Sequence, residues 1–206
     1  MNKTVYFIDD DEHERRSCVD VLKELFQDTS ITVESLAPLP VLANYAQLLV
    51  EQQVAAFILD ERLNATGCVI YTGSELAEHL RAIGGNLPIV ILTNYPDDDF
   101  TPKEWAVEGI VAKKSVVNDP NSTAAQAFKA RVCRQIEISG ALFTEREKRY
   151  HDLLVKSTTG LSAEEEFQLS ALEAERIAPI AASEREEQQK LDAQIANLKR
   201  LLGTEK

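Results

Sequence analysis

Four short apolar runs in this 206-residue chain each end in a side chain able to do chemistry. Thr4-Val5-Tyr6-Phe7-Ile8 gives way to Asp9, Asp10, Asp11 and Glu12, and Val54-Ala55-Ala56-Phe57-Ile58-Leu59 ends in Asp60. Leu87-Pro88-Ile89-Val90-Ile91-Leu92 leads to the hydroxyl of Thr93, and Gly109-Ile110-Val111-Ala112 to the ammonium of Lys113. If the first two runs lie side by side, at least three carboxylates converge, and each close pair repels by roughly 4 kcal/mol at an effective dielectric of about 20. Such a cluster requires positive charge. A hard divalent cation suits its oxygen ligands, and Lys113 offers a second cation.

The elements that must position these groups follow from the pattern. Uninterrupted apolar runs of this length read as strands buried on both faces of a parallel sheet, and ligands of open α/β sheets bind at the carboxyl ends of such strands. Glu12 to Gln27 places Cys18, Val21, Leu22, Leu25 and Phe26 at helical spacing. Ile31 to Leu36 reads as a further strand, and Pro38 and Pro40 precede a helix over about residues 41–52. Gly73 opens another helix, and Pro102 to Glu108 allows only a short one, with the acids Asp97, Asp98 and Asp99 as its solvated start. Asn121-Ser122-Thr123 caps a fifth helix carrying Phe128, Val132 and Ile136 on one face. Five strands alternating with five helices predict a doubly wound α/β domain on a five-stranded parallel sheet.

An acid pair after the first strand, an Asp after the third, a Thr after the fourth and a Lys after the fifth resemble the receiver domain of two-component response regulators. The resemblance covers about residues 1–138 and implies a flavodoxin-like receiver. It implies that Asp60 is the phosphoacceptor, that Asp10 binds Mg²⁺ directly and Asp9 directly or through water, and that the backbone carbonyl of Arg62 is a further ligand. Lys113 would pair with Asp60 and then with the phosphoryl group, to which Thr93 would donate its hydroxyl. Mg²⁺ suits this role because it joins carboxylates to phosphoryl oxygens while keeping waters, and neutralises charge that develops during transfer. The partner implied upstream is a sensor histidine kinase or a phosphotransfer protein. No enzymatic activity is expected beyond autophosphotransfer and autodephosphorylation. A haloacid-dehalogenase-like phosphatase also uses a strand-end Asp with Mg²⁺, but wants a second Asp two residues later, where this chain has Arg62.

The chain departs from the receiver pattern in four places. Lys114 stands where Pro usually follows the lysine, Ile110 where a switch aromatic usually stands, and Asn94 where a small residue usually admits the donor. The loop from Glu61 to Thr72 is several residues longer than usual, and its Cys68-Val69-Ile70-Tyr71 is apolar enough for a flap over the site or a partner contact. His13, His79 and His151 carry no surrounding motif of a phosphorylatable histidine.

Residues 139–206 have a different character, read as an α-helical hairpin or coiled-coil extension. Ser139-Gly140 is expected to interrupt the fifth helix, and Thr144-Glu145-Arg146-Glu147 to start a helix carrying Tyr150, Leu153 and Leu154 that stops near Gly160. Ser162-Ala163-Glu164-Glu165 would start another, with Phe167, Leu169, Leu172 and Ile177, ending around Pro179. A last helix from about Ser183 would present Leu191, Ile195, Leu198 and Leu202 as a two-heptad seam, closed by a second copy in a homodimer or by the chain's own helices.

The net charge of -12 divides into -9 over residues 1–143 and -3 over 144–206, without the basic stripe that a phosphate backbone requires, so nucleic acid is not an expected partner. No apolar run is long enough to span a membrane, and Met1-Asn2-Lys3 leads straight into a strand, which together predict a cytoplasmic protein. Three widely spaced cysteines, Cys18, Cys68 and Cys133, read as unpaired thiols. Two roles fit: a response regulator that signals through the helical extension to an output protein, or a phosphotransfer intermediate or phosphate sink in which the extension serves docking.

Overall fold

The computed structural model describes residues 3–51, 54–84, 86–96, 106–158 and 160–201. The expected short helix from Pro102 and the acids Asp97 to Asp99 lie outside these residues. Strands β1 (Lys3–Ile8), β2 (Ile31–Leu36), β3 (Val54–Leu59), β4 (Ile89–Thr93) and β5 (Gly109–Ala112) form one sheet in the order β2-β1-β3-β4-β5. Every neighbouring pair is parallel. This is the flavodoxin-like, doubly wound order, whose reversal point lies between β1 and β3.

Alternation along the strands sends side chains to two separate cores. Val5, Phe7, Ile58, Val90 and Leu92 face one side, where α1 (Glu12–Phe26) brings Cys18, Leu22 and Phe26, and α5 (Thr123–Ser157) brings Phe128, Val132 and Ile136. Tyr6, Ile8, Phe57, Leu59 and Ile89 face the other, under α2 (Tyr45–Glu51), which follows a single 3-10 turn at Leu42–Asn44, and α3 (Gly73–Gly84). Both faces being covered explains why these strands read as continuous apolar runs.

The extension differs from expectation in its continuity. α5 runs unbroken for 35 residues through Ser139 and Gly140, and α6 (Ala163–Leu201) for 39 residues through Pro179. The three extension helices read from the sequence are therefore the outer half of α5 plus one long α6. A glycine costs an α-helix interior only about 1 kcal/mol, which Ile136 and Leu153, both buried on α5, outweigh on either side of it. The hydroxyl of Thr144 donates to the Gly140 carbonyl at 2.9 Å instead of capping a new helix. Pro179 removes one backbone donor, yet the surrounding turns stay helical.

The expected stop near Gly160 is present. Gly160 takes φ +115 and its amide donates to the Lys156 carbonyl at 3.1 Å, a conformation that favours glycine. At the expected helix start Ser162 and Glu165 form a reciprocal cap, Ser162 N to the Glu165 carboxylate at 3.1 Å and Glu165 N to the Ser162 hydroxyl at 3.3 Å. From this turn α6 returns along α5 and packs on α2, with further contacts to α3 and the 42–44 turn. Leu191 and Ile195 stay 50% and 40% exposed, while the side chain of Leu198 and all of Leu202 lie outside the described residues. Among the described residues no helix is long and apolar enough to cross a membrane.

Candidate functional site

The sheet register brings the strand-end residues together. Ile8 pairs with Leu59, and the Asp60 amide donates to the Ile8 carbonyl at 2.8 Å, so Asp9 and Asp60 emerge at the same level from the two central strands. Thr93 pairs with Ala112, which places Lys113 one residue beyond that pair. Lys113 is the first residue of a five-residue helix, α4 (Lys113–Val117), so β5 turns directly into a short helix that the sequence reading did not contain. No cis peptide bond occurs among the described residues, Lys114 included.

The Lys113 ammonium donates to Asp9 Oδ2 and pairs with Asp60 Oδ1, each at 2.7 Å. The three residues are 4%, 2% and 7% exposed. Burial works against the charged lysine, but the carboxylates of Asp60 and Asp9 outweigh it and hold its pKa above the ordinary value. Burial likewise raises the Asp9 pKa, against the opposing pull of Lys113. The remaining carboxylate oxygens accept backbone amides: Asp9 Oδ1 from Asp11 at 2.9 Å and Asp60 Oδ2 from Arg62 at 2.8 Å. Thr93 is buried, and its hydroxyl oxygen accepts from the Tyr95 amide at 3.2 Å.

Two other expected metal ligands also accept backbone amides. Asp10 Oδ2 accepts the Thr66 amide at 2.6 Å, and the Arg62 carbonyl accepts the Ala65 amide at 3.1 Å. Among the described residues no three His, Cys, Asp or Glu side chains gather into a group able to hold a metal ion. The donor set of Asp9 and Asp60 nevertheless fits Mg²⁺, which binds through one or two carboxylates alongside phosphoryl oxygens and water.

The supporting contacts of several residues escaped the sequence reading. Glu61 is buried, accepts the Ser74 hydroxyl at 2.8 Å, and has its pKa raised by that burial. Gly73 is obligatory: a Cβ there would meet the Asp60 carbonyl oxygen at 2.2 Å, so only glycine lets α3 start against the end of β3. The Arg62 guanidinium lies 3.7 Å from the centre of the Tyr95 ring. The long loop is not a loose flap, for Val69 and Tyr71 are buried and only Ile70, 94% exposed, points out between them. Tyr71 donates its hydroxyl proton to the Leu39 carbonyl and lies against the Tyr45 hydroxyl at 3.1 Å, while Tyr45 in turn accepts from the Leu39 amide. Only the spacing of Val69 and Tyr71 hinted at this plug. Of the three histidines, His13 and His151 are exposed, and His79 is half-buried on α3 with its Nε2 unpartnered and its pKa lowered by burial.

The chain matches no protein-family model and no curated protein in sequence. Solved structures are similar to it. The response regulator TrrA of Thermotoga maritima, in complex with Mg²⁺-BeF, is 19% identical with a TM-score of 0.46, over 65% of this chain and 98% of that one. RcsB of Salmonella enterica serovar Typhimurium, bound to a promoter in the presence of BeF₃⁻, is 17% identical with a TM-score of 0.44, over 89% and 92% of the two chains. The lysine decarboxylase LdcF of Francisella novicida is also similar, 13% identical with a TM-score of 0.47 over 66% of this chain and 18% of its own.

Proposed function

We propose that this chain is a two-component response regulator in which Asp60 accepts a phosphoryl group. The observation that carries the reading is Lys113 held at 2.7 Å from both Asp9 and Asp60, at the carboxyl ends of adjacent central strands. Two buried carboxylates and a buried ammonium are a costly combination unless the site uses them, and the fold's ligand position is this rim. Transfer forms a bond between an Asp60 carboxylate oxygen and phosphorus, and the bond to the donor breaks. Lys113 stays beside the transferred group and follows its charge, and Thr93 donates its hydroxyl to a phosphoryl oxygen. Asp9 and Asp60 would hold Mg²⁺, which would neutralise the phosphoryl charge.

The donor is a sensor histidine kinase or a phosphotransfer protein, and the output passes through protein contacts of α5 and α6, with no chemistry beyond autophosphotransfer and autodephosphorylation. With a net charge of -12 the chain is poorly suited to a nucleic-acid backbone. Leu191 and Ile195, half-exposed on α6, suit self-association of the extension. A monomer at tens of micromolar in sedimentation would remove that part of the reading. The test of the whole is incorporation of a hydroxylamine-labile phosphoryl group from acetyl phosphate, expected with Mg²⁺ and abolished by chelation. A role as a phosphate sink predicts instead rapid loss of the group, whereas a switch holds it.

A further inference from the structure

A cavity of about 930 Å³ lies at the end of the sheet opposite the acid rim. Its walls come from the first residues of β1 and β3, the α3–β4 connection, α5 beyond Ile136, and α6. Lys3 lines it from the start of the strand that ends before Asp9, so roughly 20 Å separates it from the acids at about 3.3 Å per residue. Its volume falls within the roughly 300–1,000 Å³ of small-molecule sites. Val54, Ile83, Leu87, Phe143 and Leu172 give it an apolar lining, on which Phe143 stays 65% exposed. The Ser139 hydroxyl braces one wall by donating to the Asn86 carbonyl at 2.8 Å.

Gly140 helps to keep this space open. A Cβ there would meet no atom within 4 Å, so packing does not require glycine, although glycine is a poor helix former. Charges on the lining are matched except near the sheet. Arg146 pairs with Glu175 and Arg176 with Glu147 across the hairpin, and the Glu137 side chain belongs to an exposed residue. Lys3 is half-buried, and among the described residues its ammonium has no hydrogen bond or ion pair. We propose that the cavity binds an apolar molecule bearing a single carboxylate, of the fatty-acid class, with its head at Lys3 and its hydrocarbon body along Leu87, Phe143 and Leu172. The carboxylate supplies the ammonium with a charge-assisted partner, and the body takes the apolar lining out of water. A neutral ligand would leave Lys3 unmatched. The site lies apart from Asp60 and does not depend on the reading of that residue.

The test is calorimetric titration of dodecanoate, kept below its micelle threshold, into the full chain, with 1-dodecanol as the uncharged probe. The wild type is expected to show one saturable site for dodecanoate and weaker binding of dodecanol. Lys3→Gln should weaken dodecanoate by about ten-fold and leave dodecanol unchanged, since only the charged head meets residue 3. Gly140→Leu puts a branched side chain into the open space and favours the helix. It should therefore abolish binding of both probes with no fall in melting temperature. A wild type without saturable binding, or a Gly140→Leu protein that binds as the wild type does, would overturn the cavity as a site. Equal effects of Lys3→Gln on the two probes would overturn the carboxylate assignment.

Discussion

Lys113, Asp9 and Asp60 at the strand ends keep their side chains 5%, 3% and 11% exposed around contacts of 2.7 Å. Across the hairpin, Arg146 meets Glu175 at 3.0 Å with side chains 42% and 56% exposed, and Arg176 meets Glu147 in a similar setting. Both regions are built from the same chemical pair, but solvent gives them opposite weight. An exposed pair is worth about 0–1 kcal/mol, whereas removing one partner of a buried pair strands the other charge at a cost of roughly 3–5 kcal/mol. The rim is thus rigid because its charges have nowhere else to go, and the hairpin is adjustable because each of its ties is weak. Apolar burial does not compensate there, since Leu153 is the one buried side chain of α5 beyond Ile136.

The largest effect that sharpens this contrast is Lys113→Met, expected to destabilise the fold by roughly 3 kcal/mol in urea unfolding because Asp9 and Asp60 remain buried without their cation. Adding Asp60→Asn should return part of the loss. With its folded pKa raised, Lys113 stabilises fully below its unfolded pKa, and that contribution fades as pH rises through the folded value. The wild-type advantage over Lys113→Met should therefore persist to alkaline pH. Next in size, Leu153→Ala should loosen the hairpin by roughly 2 kcal/mol, read as faster amide exchange in the outer half of α5 with protection at β1 and β3 unchanged. Equal loss at the strands would join the two regions into one cooperative unit and break the comparison.

Smaller effects belong to the hairpin ties. Arg176→Ala should cost under about 1 kcal/mol even though its guanidinium also lies 4.3 Å from the Tyr150 ring centre. Glu165 is held at a pKa of about 2 by the hydrogen bond from Lys156 and by the Ser162 amide. A depressed carboxylate stabilises above its unfolded pKa and loses that contribution as pH falls through the folded one. The 158–165 turn should therefore fray between about pH 4.5 and 2, seen as faster exchange at Gly160 and Ser162.

How much of this was legible in the sequence depends on the range of the interaction. Asp9, Asp60, Thr93 and Lys113 could be placed because each closes an apolar run, and a parallel sheet carries strand ends to one rim. Gly160 and the Ser162–Glu165 cap could be placed because a helix end is a local event. Gly140 and Pro179 misled because their local penalties were read as breaks, although distant packing decides whether a helix continues. The Thr66 contact to Asp10 had no sequence signal at all, since any residue could supply that amide. Tyr71 joins Tyr45 and Leu39 across 26 and 32 positions, a tether that no periodicity encodes.

The intact mass of the chain after incubation with acetyl phosphate and Mg²⁺, for the wild type and for Asp60→Asn, tests the central assignment most directly. One added phosphoryl group on the wild type and none on Asp60→Asn is the expected result. A wild type that gains no mass, or an Asp60→Asn protein that still does, would contradict it.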